Sequence, residues 1–172
     1  AGRGLVVAPA GCGKTHLLSH TVLSGGSGRA LVLTHTRAGV AVIRNRLPDA
    51  RNARIATLDN WTAWLATRFP GLSGYVPTFT PRDYPAARTA AIALLAVPAV
   101  RGLVASTWDL VLVDEYQDCD VHQHELVLAL ADAVPTVAFG DPMQRVFDFG
   151  GNKLPDWPGV LDAFGTSWRL ET

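Results

Sequence analysis

The sequence has little lysine, few cysteines, no net charge and no long apolar run, and each shortage removes a class of explanation. Only two cysteines are present, Cys12 and Cys119. They are too few and too far apart to form the disulfide framework that staples small secreted domains, so a reducing, cytoplasmic setting is expected. Fifteen acidic residues balance fifteen basic ones. The chain therefore has no overall positive field, and any contact with nucleic acid must be local. No stretch reaches the roughly 18 uninterrupted apolar residues that a membrane span needs, so no membrane association is expected. Internal repeats and low-complexity tracts are also missing. The chain opens at Ala1 with no methionine, charged leader or apolar signal, as an excised fragment would. Only Lys14 and Lys153 among the basic residues are lysines. Lys14 falls in the strongest motif of the chain, which makes it a candidate functional residue.

What is present is enough for one sizeable core: 172 residues, 48% of them apolar and 17% charged. Short aliphatic runs at Leu5–Ala8, Ala30–Thr34, Leu110–Asp114 and Thr136–Phe139 end in turn or polar residues, as strands buried on both faces do. Ile55–Thr57 is a weaker fifth run. Helical periodicity covers Lys14–Leu23, Arg37–Leu47, Asn60–Arg68, Ala86–Leu95 and His122–Ala131. Strands alternating with helices predict an α/β fold with a mainly parallel sheet. The prolines and glycines between Phe69 and Pro85 forbid a long regular element there and mark the expected insertion. A second such stretch, Gly150–Gly159, separates the last clear strand from a tail containing Trp168 and Arg169.

The segment Ala8-Pro9-Ala10-Gly11-Cys12-Gly13-Lys14-Thr15 follows a predicted strand and opens a predicted helix. This is the setting a phosphate-binding loop requires. Gly11 and Gly13 let backbone N–H groups turn inward, alongside those of Ala10 and Cys12. Lys14 supplies a point charge for the β- and γ-phosphates, and the Thr15 hydroxyl is a ligand for Mg²⁺. Ala8 stands where the loop pattern begins with glycine. The run Leu110–Val113 delivers Asp114 and Glu115 to the C-terminal edge of a buried strand, where open α/β sheets bind ligands. Asp114 suits the Mg²⁺ site. Glu115 suits a water attacking the γ-phosphate of ATP.

Val113-Asp114-Glu115-Tyr116-Gln117-Asp118 resembles the VDEFQD signature of the UvrD/Rep-like superfamily 1 DNA helicases. Further segments follow in family order. Thr34-His35-Thr36-Arg37 resembles the TFTN motif, Ile55-Ala56-Thr57 the GTFH region, Gly140-Asp141-Pro142-Met143-Gln144 the GDxxQ motif, and Trp168-Arg169 the NYR motif. The resemblance implies that residues 1–172 form the first RecA-like ATP-binding lobe, a three-layer P-loop NTPase sandwich. It also implies a reduced accessory insertion over 69–105, and a second RecA-like lobe outside this chain. Residues 69–105 fall between Thr57 and Asp114, an interval shorter than the family's usual one.

Carried over position by position, the resemblance implies that Gln144 senses the γ-phosphate and that Arg169 contacts it as an arginine finger. Trp168, where the family has Tyr, would stack on adenine. Arg44 would approach the nucleotide or solvate a helix face. His35, Thr57 and Phe149 would face single-stranded DNA, Phe149 by stacking on a base. The nucleic-acid side departs from the family at His35 and Leu58 (usually Phe), Asp59 (usually His) and Gly150 (usually Arg). The expected activity is ATP hydrolysis driving a DNA helicase or translocase, slow in the lobe alone. The alternative is a nucleotide-dependent switch or defence-type effector of the same lineage. Arg44, Arg46, Arg51 and Arg54 are a candidate phosphate-contacting patch. Cys119, His122 and His124 lack a fourth convergent metal ligand.

Overall fold

The computed structural model describes residues 2–25, 28–78, 83–145 and 153–170. Its framework is a six-stranded sheet made of β1 (Arg3–Val7), β2 (Ala30–Thr34), β3 (Ala53–Thr57), β4 (Leu110–Val113), β5 (Thr136–Gly140) and β6 (Ser167–Arg169). The spatial order is β3-β2-β4-β5-β1-β6, and every pairing is parallel. Helices cover both faces, which explains why the central strands read as continuous apolar runs rather than alternating ones. The architecture is the α/β sandwich of a RecA-like P-loop fold, with a wholly parallel sheet.

Side-chain alternation along each strand divides the core between the two faces. Val6, Val32, Leu112 and Phe139 pack against Leu18 and Val22 of α1 (Lys14–Ser24) and Ile43 of α2 (Arg37–Arg46). Leu5, Leu31, Leu33, Val111, Val113 and Ala138 point the other way. They meet α3 (Leu58–Arg68), α5 (Tyr84–Ala96), α6 (Pro98–Thr107), α7 (Val121–Ala133) and α8 (Trp157–Phe164). A single turn, α4 (Pro70–Ser73), joins α3 to the segment before α5.

Local chemistry sets several boundaries. Thr36, Thr57 and Asp156 accept N-cap hydrogen bonds from Gly39, Asn60 and Gly159, while Asp120 and Gln123 form a reciprocal capping box at the start of α7. Three elements were not legible in the sequence. Helix α6 begins at Pro98, in the first-turn position where proline costs no hydrogen bond. Helix α8 carries Pro158 and Gly159 in its first turn, residues that in sequence read as breakers. Strand β6 is three exposed residues held on the edge by pairing with β1. Within residues 69–105, α5 and α6 contribute Ala91, Leu94, Leu95, Val100 and Val104 to the core.

Among the described residues no single helix is long and apolar enough to cross a membrane. Helices α5 and α6 together would match a span in length and composition, but they are bent by 95° and their apolar faces lie in the core.

Candidate functional site

The loop after β1 turns at Gly11 and Gly13, each with φ of 78°, a left-handed conformation that disfavours side chains. The turn points the loop back over the N-terminus of α1. Lys14 is buried to 8% exposure, and its Nζ donates to the carbonyls of Ala8 at 2.8 Å and Pro9 at 3.2 Å. The ammonium therefore lies within the loop, desolvated on one side. Thr15, one residue on, donates its hydroxyl to Asp114 Oδ2 at 3.4 Å. That contact spans 99 residues of sequence and joins the loop to the end of β4 across the intervening strand β5.

Asp114 is 4% exposed and its carboxyl pKa is pushed up to about 6. Burial is the main cause and the neighbouring Glu115 adds to it, while the Glu115 backbone N–H, Thr15 and Lys14 pull the other way. Two crowded acids beside a hydroxyl are a donor set that a hard divalent cation relieves, so these residues fit Mg²⁺. Glu115 has φ 53° and ψ 44°, the one non-glycine residue of positive φ among those described. That backbone costs on the order of 1 kcal/mol. It swings the Glu115 side chain off the strand axis. Glu115 Oε2 accepts from Gln117 Nε2 at 2.6 Å, and Gln117 Oε1 accepts from the backbone N–H of Asp141 at 3.1 Å. Asp141 Oδ2 in turn accepts from Gln144 Nε2 at 2.7 Å.

These groups converge. Ala10, Gly11, Gly13, Lys14, Thr15, Glu115 and Gln144 line one recess of about 260 Å³ at the C-terminal edge of the sheet. Two residues that the sequence reading did not assign there, His16 and Arg46, complete its wall. Arg46 ends α2, and only the docking of α2 beside α1 could reveal its position.

Other candidate residues lie elsewhere. Arg44 donates to the Ile55 carbonyl at 3.2 Å and lines a groove of about 720 Å³ with Arg37, Arg54 and Thr57, away from the phosphate loop. The four-arginine patch is thus divided, Arg46 facing the recess and Arg44 and Arg54 the groove. Arg169 lines a separate, mostly apolar pocket of about 460 Å³ with Pro9, Asp141, Met143 and Trp157. Trp168, 51% exposed, pairs in register with Val6 and lays its ring over Gly4, where a Cβ would come within 2.4 Å of the indole. Adjacent positions on β6, Trp168 and Arg169 lie on opposite faces of the sheet.

Of the positions expected to face nucleic acid, His35 is exposed beyond β2, whereas Thr57 is 7% exposed with its hydroxyl committed to capping α3. Leu58 is core, and Asp59 pairs with Arg88 of α5. Phe149 and Gly150 lie outside the described residues. Among the described residues no group of three or more His, Cys, Asp and Glu side chains is placed to hold a metal. Cys119 is buried, which pushes its thiol pKa far up, and His124 is bonded to the Tyr116 hydroxyl at 2.7 Å.

Comparison with known proteins agrees with this geometry. Residues 82–155 match the UvrD/REP helicase N-terminal domain. The RecBCD enzyme subunit RecB of Mycolicibacterium smegmatis is 31% identical over 71 residues, covering 37% of this chain and 7% of that subunit. Both findings support a UvrD-like helicase N-terminal lobe. The family match contains Asp114, Glu115, Gln117, Asp141 and Gln144. The candidate phosphate loop, residues 8–15, precedes the matched region and meets it through the contact of Thr15 with Asp114. The chain spans a small fraction of the length of the curated relative it matches.

Proposed function

We propose that this chain is the ATP-binding and hydrolysing lobe of a UvrD/Rep-like DNA helicase or single-stranded DNA translocase. The observation that carries the reading is the convergence of Lys14, Thr15, Glu115 and Gln144 on one recess from three separate strand ends, with Asp114 bonded to Thr15 beside it. Backbone N–H groups of residues 10–15 and the Lys14 ammonium hold the phosphates at the start of α1. Thr15 and Asp114 would hold Mg²⁺, which when bound neutralises charge on the phosphate oxygens. Glu115 orients a water and accepts its proton as the water oxygen attacks the γ-phosphorus. The bond to the bridging oxygen breaks, leaving ADP and phosphate. Gln144, hydrogen-bonded to Asp141, offers its amide at the mouth of the recess.

Single-stranded DNA and a second RecA-like lobe are the proposed partners, by analogy with the family. A second reading, a nucleotide-dependent switch of the same lineage, draws on Thr57, Leu58 and Asp59, whose side chains are all occupied inside the fold. Steady-state ATPase of the full-length protein with and without single-stranded DNA separates the two. Lys14-dependent turnover raised by DNA supports the motor, while Lys14-dependent turnover indifferent to DNA favours the switch.

A further inference from the structure

One buried side chain beside the recess has a part to play that the motif comparison leaves open. Gln117 is 3% exposed and sits in the 3₁₀ turn Tyr116–Asp118. The turn is anchored by Tyr116, which is 1% exposed, bonds His124 through its hydroxyl and meets the Phe164 ring edge-on at 5.2 Å. From this fixed backbone the Gln117 amide bridges two partners of opposite polarity. Its Nε2 donates to Glu115 Oε2 at 2.6 Å, and its Oε1 accepts from the Asp141 N–H at 3.1 Å. A carboxylate requires a donor and an N–H requires an acceptor, so the amide has one satisfactory orientation. Among the described residues Gln117 supplies the side-chain hydrogen bond to the Glu115 carboxylate, and Glu115 lines the recess.

We infer that Gln117 is a positioning residue that fixes the Glu115 carboxylate and ties it to the turn carrying Gln144. The inference rests on the ATPase reading above and deepens it. Three hydrogen bonds run in series from Glu115 through Gln117 and Asp141 to Gln144. A shift of Gln144 on Asp141 therefore reaches Glu115 through a single amide. Glu115 is in addition held at a left-handed backbone angle, so its side chain has few ways to compensate if that amide is lost.

The test uses Gln117→Glu and Gln117→Met in the full-length protein. Both keep the length of the side chain; the ionised carboxylate cannot donate to Glu115, and the thioether can neither donate to Glu115 nor serve as a good acceptor for Asp141. Each is expected to lower kcat roughly 10- to 100-fold while KM and ATP affinity hold, because misplacing a reacting group penalises chemistry rather than binding. In a Glu115→Gln background the Gln117→Met change should cost nothing further, since it acts through the missing carboxylate. Unchanged kcat, multiplicative losses in the double variant, or ATP affinity and thermal stability falling in step with kcat would each overturn the proposal. If parent turnover survives Lys14→Ala, the ATPase reading fails first and takes this proposal with it. That outcome shows in the parent protein before any Gln117 variant is compared.

Discussion

Asp114 and Glu115 are adjacent in sequence yet sit in different surroundings. Asp114 is desolvated and its carboxyl is raised to about 6, whereas Glu115 is partly exposed and hydrogen-bonded by Gln117. Replacing Glu115 with Gln should preserve nucleotide binding and reduce turnover by roughly 10²- to 10⁴-fold, the usual worth of a general base. Equilibrium binding and ATPase measured on the same preparation check this. For Asp114 the native pKa lies above the ordinary carboxylate value of 3.8, so the native state holds its proton more tightly than the unfolded chain does. In metal-free protein this costs stability as pH rises through the window from 3.8 to about 6, and the cost is complete above it. Asp114→Asn should remove that pH-dependent loss, on the order of 3 kcal/mol. Chemical denaturation at several pH values in chelator reads it directly. A stability difference that does not vary with pH across the window would rule out the account of Asp114. At this scale the sequence was most informative where chemistry is dense. Lys14, Thr15, Glu115 and Gln144, singled out by their motifs, line one recess, and Asp114 is bonded to Thr15 beside it. Arg46 was out of reach, because a two-residue step along α2 decides whether an arginine faces the recess or, like Arg44, the groove.

Among the elements, those with a strong period were legible and those set by context were not. Strands β1, β2, β4 and β5 follow from their aliphatic runs, and α1, α2, α3, α5 and α7 from their apolar stripes. Strand β6 has no apolar run and exists because β1 offers an edge. Helix α6 starts on a proline and α8 carries one at its second position, residues that in sequence count as breaks. The same context explains an ion-pair centre that no motif announced. Arg88 of α5, with a side chain 13% exposed, pairs with Asp59 of α3 and Asp120 at the cap of α7, each at 2.7 Å. It fastens the three helices on one face of the sheet. Removing one member of a buried pair strands the others, so Arg88→Ala should destabilise the fold by about 3 kcal/mol. Urea denaturation measures the change, and a loss below about 1 kcal/mol would show that these charges are solvated rather than structural.

For the whole molecule, the parallel sheet places the loop after β1, the acids after β4 and the turn after β5 at one edge, and this arrangement makes the recess. The family match over residues 82–155 reaches the site from one side, and the phosphate loop, read from the sequence alone, completes it from the other. The positions proposed to face nucleic acid were less legible. Thr57 caps a helix, Asp59 is in an ion pair, and Phe149 lies outside the described residues. The central claim is that this lobe binds and hydrolyses ATP to drive movement on DNA. Its most direct test is steady-state ATPase of the full-length protein with and without single-stranded DNA, with Lys14→Ala as the blank. The account predicts turnover that rises with DNA and disappears in the Lys14 variant, whereas turnover that is equal with and without DNA, or that survives loss of Lys14, would contradict it.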